Sequence, residues 1–152
     1  MNLESAMTLA LDLARKSAQA SQDVPVGAVV LNKNGDVVAT GVNERELNND
    51  PTSHAEIVAL RQAAQVMGSW RLAGLTLVVT LEPCAMCAGA IAQSRIARLV
   101  FGAWDSKAGA VGSVWDVLRD PRALHKVEVV AGVLEEESAA ILKDFFQAQR
   151  KV

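Results

Sequence analysis

The chain holds two cysteines, Cys84 and Cys87, and two histidines, His54 and His125. Three of those four residues fall in two short stretches, His54-Ala55-Glu56 and Pro83-Cys84-Ala85-Met86-Cys87. Each stretch stands where a helix is expected to begin. A Cys-x-x-Cys at a helix start puts both sulfurs beside unpaired backbone N–H groups and the positive end of the helix dipole, which favours the thiolate that binds metal. Two thiolates and one imidazole suit Zn²⁺. Three protein ligands leave the fourth tetrahedral position to water, the arrangement of a catalytic rather than a structural zinc. Zinc lowers the pKa of such a water to about 7. Glu56, two residues past the histidine, is placed to carry that water's proton.

Other readings of the same residues stand beside this one. Ser53-His54-Ala55-Glu56 also fits a capping box, in which Glu56 does no more than close the start of a helix. His125 could complete a closed Cys₂His₂ site and make the chain a structural zinc domain without catalysis. A redox pair is a third use of Cys-x-x-Cys, but no Cys-Gly-Pro-Cys turn is present, and the two further cysteines of a zinc ribbon are missing. His-x-Glu and Pro-Cys-x-x-Cys in one chain, each opening a helix, are far more specific together than apart.

These residues need a scaffold. With 152 residues, 16.1 kDa and 51% hydrophobic content, the chain is long enough for one domain with a real core, expected over residues 1–152. Disordered and disulfide-stapled classes are excluded. There is no repeat, and the four prolines, Pro25, Pro51, Pro83 and Pro121, stand singly, so no linker is evident. Residues 1–17 lack the basic start of a signal peptide, and the apolar runs at 75–80 and 85–92 fall short of the about 20 residues that cross a bilayer. The expectation is a cytoplasmic protein with no membrane contact.

Periodicity predicts a helix over 3–18 and two short strands, 26–31 and 37–41, around Asn32-Lys33-Asn34-Gly35-Asp36, a hairpin signal. A helix over 54–67, stopped by Gly68, follows the polar stretch 43–53. Then come a continuous, mainly apolar strand over 75–80, a helix from Pro83 to about Gln93, strands over 99–102 and 127–131, and a closing helix over 135–150. This order implies an α/β fold, a three-layer α/β/α sandwich with a mixed five-stranded sheet and its site at the carboxyl ends of the strands. The helix 84–93 has almost no polar face, so it is either interior or turned toward another subunit.

The chain resembles the cytidine-deaminase-like zinc deaminases, and within them the bacterial tRNA-specific adenosine deaminases. The resemblance rests on Val24-Pro25-Val26-Gly27-Ala28-Val29-Val30, Asp50-Pro51-Thr52-Ser53-His54-Ala55-Glu56-Ile57, Thr80-Leu81-Glu82-Pro83-Cys84-Ala85-Met86-Cys87 and Val100-Phe101-Gly102-Ala103-Trp104-Asp105-Ser106-Lys107. It implies a cytidine deaminase-like fold in which His54, Cys84 and Cys87 hold one Zn²⁺ per subunit. Glu56 would be the general acid/base that protonates the ring nitrogen while activated water attacks C6 of adenine and ammonia leaves. The implied substrate is the wobble adenosine of a tRNA anticodon loop, an arginine tRNA, and the implied assembly is a homodimer. Asn43 would hydrogen-bond the flipped base and Asp105 would lie beside the RNA. As plain residues, Asn43 reads as a turn former and Asp105 as a loop carboxylate.

The chain departs from the family's pattern at Trp104, where relatives often carry a smaller or basic residue. It departs again at the C-terminus, Phe145–Val152, which is short and weakly basic. A net charge of -2 also argues against a uniformly basic surface. Residues 1–90 carry 6 basic and 9 acidic residues, and 91–134 carry 6 and 4, so any excess of positive charge lies in the second segment. The same chemistry on a free base or nucleoside, guanine, cytosine or cytidine, is the alternative activity.

Overall fold

The computed structural model describes residues 1–150. Helix α1 (Leu3–Ala20) leads into a hairpin of β1 (Gly27–Leu31) and β2 (Val37–Val42), then the short α2 (Arg45–Asn48) and α3 (Ala55–Met67). β3 (Thr76–Leu81), α4 (Ala85–Gln93), β4 (Arg98–Ala103), β5 (Glu128–Ala131) and α5 (Glu135–Arg150) complete the chain. The sheet order is β2-β1-β3-β4-β5. β1 runs antiparallel to both its neighbours, while β3, β4 and β5 are parallel. The mixed five-stranded sheet expected from the sequence is present.

Side chains alternate across a strand, and here the alternation sorts the core into two halves. Ala28, Val30, Leu77, Val79, Leu99 and Phe101 pack on one face with Ala55, Ala59 and Leu60 of α3 and Ala88 and Ile91 of α4. Val29, Leu31, Val78 and Val100 pack on the other face with Ala6, Met7, Ala10 and Leu11 of α1 and Ile141 of α5. Two covered faces explain why β1 is apolar throughout and why β3 is apolar but for the buried Thr76 and Thr80. The hairpin closes as its residues require: Asn32 Oδ1 accepts from the N–H groups of Asn34 and Asp36, both at 2.9 Å, and Gly35 takes φ +83°.

Helix α2 is absent from the expectation, which left residues 43–53 as a polar stretch. Its N–H groups at Glu46 and Leu47 are capped by the buried carboxylate of Asp23, at 2.8 and 3.3 Å. That cap lies more than twenty residues upstream, so no local pattern announces it. Helix α4 satisfies only part of its apolar composition inside the domain. Cys87, Ala88 and Ile91 are buried, whereas Ala85 and Met86 are exposed.

The site-bearing helix α3 lies directly on β2. A Cβ at Gly41 would overlap the Ala55 carbonyl and come within 2.7 Å of the Ala59 N. Gly41→Ala is therefore expected to push α3 off the sheet and lower stability by about 1–3 kcal/mol, read as a lower urea midpoint at unchanged m-value. A midpoint equal to wild type would show that α3 can shift freely. Among the described residues no helix is long and apolar enough to cross a membrane.

Candidate active site

Strand β3 ends at Leu81, and the chain passes through Glu82 and Pro83 to Cys84, the N-cap of α4. Cys87 follows in the first turn. His54 is the N-cap of α3. Neither cap residue makes a side-chain capping bond, and their side chains meet, so the positive ends of two helices converge where the sulfurs sit. Nδ1 of His54 lies 3.6 Å from Cys84 Sγ and 3.4 Å from Cys87 Sγ.

These distances match a metal polyhedron. A tetrahedral zinc with Zn–S of about 2.3 Å and Zn–N of about 2.0 Å requires N···S edges of about 3.5 Å. His54, Cys84 and Cys87 are the one such donor group among the described residues. A hydrogen bond from Cys87, outweighing burial and joined by His54, brings the Cys84 thiol down to about 3. Cys87, as the donor in that pair and buried, is pushed far up, and His54 is raised through its bond to Cys84. The pair thus holds one ready thiolate, the form a metal takes. His125 supplies no fourth ligand. Its Nε2 lies 2.7 Å from the Ile96 carbonyl, so a closed Cys₂His₂ site is not formed.

The capping-box reading of Glu56 fails on geometry. The cap is His54 rather than Ser53, and the Ser53 hydroxyl donates to Asp50 at 2.9 Å inside an Asp50–Thr52 turn. Glu56 is instead 4% exposed and lines a cavity of about 150 Å³ together with His54 and Cys84. Burial pushes its carboxyl up to about 7, against the pull of its own backbone N–H and of His54. A buried carboxyl in that range can both take up and release a proton near neutral pH. Val24, Val26 and Leu81 give the cavity apolar walls, and Asn43, Arg45 and Asp105 lie around it.

The profile of the MafB19-like deaminases matches residues 1–150. The chain belongs to the MafB19-like deaminase family. This deaminase is 49% identical over 148 residues to the tRNA-specific adenosine deaminase of Haemophilus influenzae, covering 97% of its own chain and 85% of that protein. It superposes with a TM-score of 0.86 and 45% identity on a solved structure from work on A-to-I editing by tRNA:A34 deaminases at the wobble position of transfer RNA. That match covers 91% of this chain and 99% of the other. A guanine deaminase from Nitrosomonas europaea shares the fold at TM-score 0.78 with 27% identity, over 93% of this deaminase and 83% of the other chain.

Within the deaminase, the cavity brings together Asn43, His54, Glu56, Cys84 and Asp105, and Cys87 joins them through the donor set behind its wall. Asn43 is buried, with Nδ2 donating to the Val24 carbonyl at 3.1 Å and Oδ1 accepting from Arg45 N at 3.2 Å. An amide has two donors and two lone pairs, so one of each is left for a ligand. Asp105 Oδ1 accepts from Lys107 N and Ala108 N, shaping its own loop. Trp104 is half-exposed and packs edge-to-face on Phe101 at 4.9 Å.

The basic excess in residues 91–134 is largely used internally. Arg95 donates to the Ala92 carbonyl at the end of α4, Arg119 pairs with Asp116, and Arg122 pairs with Asp120. The tail beyond α5, Lys151 and Val152, lies outside the described residues. Sequence reading missed Arg45, whose place at the cavity follows from the unexpected α2, and Glu82, a carboxylate just beyond a mainly apolar strand. That odd position was its one visible signal.

Proposed function

We propose that this chain hydrolyses adenosine to inosine at the wobble position of a tRNA anticodon loop, a hydrolase acting on a cyclic amidine C–N bond, with residues 1–152 serving as one deaminase domain. The observation that carries this reading is Glu56, buried in the cavity of the His54, Cys84 and Cys87 donor set and not engaged in a capping box with Ser53. The high identity to a tRNA-specific adenosine deaminase supports the substrate.

His54 Nδ1 and the sulfurs of Cys84 and Cys87 would hold one zinc. When bound, the metal supplies Lewis acidity that brings a water's pKa to about 7. Glu56 takes a proton from the attacking water and delivers it to N1 of the adenine. It then takes the remaining proton from the new C6 hydroxyl and hands it to the departing amine, so that the C–N bond breaks and water and the C6 amino group exchange for a C6 carbonyl and ammonia. The apolar walls at Val24, Val26 and Leu81 receive the faces of the flipped base, and the free donor and lone pair of Asn43 hold its edge. Asp105 lies against the adjoining nucleotide. A base in an anticodon loop is already partly unstacked, so a small domain can extract it.

The RNA is an arginine tRNA, and the enzyme is cytoplasmic. It works as a homodimer, joined through the exposed apolar side of α4 at Ala85 and Met86, next to Gly89, where no atom lies within 4 Å of a Cβ position. Incubating the purified protein separately with an anticodon stem-loop RNA, guanine, cytosine and cytidine tests the substrate. Inosine in digested RNA, with the free compounds unchanged, is expected; turnover of a free compound with none in RNA would overturn the reading.

A further inference from the structure

We propose that Glu82 is a positioning residue that holds the loop between β4 and β5 as one wall of the substrate cavity, and that it thereby sets how tightly the RNA is bound. The proposal rests on the substrate reading above. Glu82 is 2% exposed and follows directly on the end of β3, yet it belongs neither to the donor set nor to the proton path assigned to Glu56. Its carboxylate turns toward the loop. Oε1 accepts from Asp105 N at 2.9 Å and from the Ser113 hydroxyl, and Oε2 accepts from Val111 N at 3.0 Å and Ser113 N at 3.1 Å.

Four donors from one loop converge on one buried charge, and hydrogen bonds to an ionised acceptor are the strong ones. Loop and strand end are tied further by Ala110 N donating to the Pro83 carbonyl at 2.8 Å and by a bridge between Cys84 and Gly109. Gly109 fits this arrangement, since a Cβ there would overlap the Glu82 carboxylate. The loop so fixed contributes Asp105 and Ala108 to the cavity. Without Glu82, three backbone N–H groups and a hydroxyl lose their acceptor, and nothing in the strand core need change.

Glu82→Gln keeps the volume but puts an amide N–H₂ against these donors. Ser113→Ala, at an exposed residue, removes a single bond and spares the fold. Both variants are compared with wild type for KM and kcat on an anticodon stem-loop RNA, for zinc content, and for amide hydrogen exchange of Asp105, Val111 and Ser113. For Glu82→Gln, KM is expected to rise about tenfold with kcat within about threefold, zinc unchanged and exchange at least tenfold faster. Ser113→Ala should move KM the same way by about threefold. The proposal is overturned if both variants keep wild-type KM and exchange, or if Glu82→Gln loses zinc and kcat with KM intact. Should wild type make no inosine from RNA, the substrate reading fails alone. In that case accelerated exchange in the variants still supports loop anchoring, and unchanged exchange still overturns it.

Discussion

Glu56→Ala is expected to slow inosine formation by about a thousandfold while one zinc per chain remains bound, measured by single-turnover assay and metal analysis of the same sample. The size follows from what one carboxyl must do. Proton transfer by a positioned general acid/base contributes about 10²–10⁴, and Glu56 serves both the attacking water and the ring nitrogen. The zinc should stay because its holders are His54, Cys84 and Cys87, and the Glu56 carboxyl is no member of that set. Folding should hardly suffer, since a buried carboxyl pushed up to about 7 is kept at a cost to stability. Glu56→Gln, which fills the same volume without a transferable proton, should fall as far. A rate within tenfold of wild type in either variant would remove Glu56 from the reaction. Activity and zinc both surviving would return the site to a structural role.

Much of this site was legible because its parts are local. His54-Ala55-Glu56 and Pro83-Cys84-Ala85-Met86-Cys87 each mark a helix start, and helix starts are where backbone N–H groups favour thiolates. The parallel strands were legible for a similar reason, since Leu77–Val79 of β3 and Leu99–Phe101 of β4 are consecutive apolar residues and so demand cover on both faces. What escaped the sequence depends on contacts between distant segments. Asp23 caps α2 from before β1, and Glu82 gathers a loop that returns after β4. Local ambiguity also misled: Ser53 and Glu56 have capping-box spacing, but the Ser53 hydroxyl is taken by Asp50 and the helix begins one residue later. The charge split along the chain suggested a basic segment, yet Arg119 and Arg122 are paired within it, so segment totals overstate what RNA would meet. The helix α4 was open to two placements because composition alone does not divide its sides: Cys87, Ala88 and Ile91 face the core, and Ala85 and Met86 are exposed.

Removing the metal should have the other large effect. Treatment with a zinc chelator is expected to abolish deamination and to lower the melting temperature by on the order of 10 °C, with both restored by added zinc. His54 and Cys84 are thirty residues apart and stand at the starts of different helices, so an ion held between them ties α3 to α4. Binding to the folded chain alone at a thousandfold over Kd is worth about 4 kcal/mol, and each kcal/mol moves the midpoint of a domain this size by about 2–4 °C. Without the ion, the site keeps a half-buried thiolate at Cys84 beside a buried thiol at Cys87, held only by their mutual hydrogen bond and His54. Cys87→Ala should therefore resemble the chelated protein in both melting temperature and activity, and added zinc should restore neither. An unchanged melting temperature after verified zinc loss would mean that the two helix starts are held by the core alone. The ion would then act in catalysis without contributing to the fold.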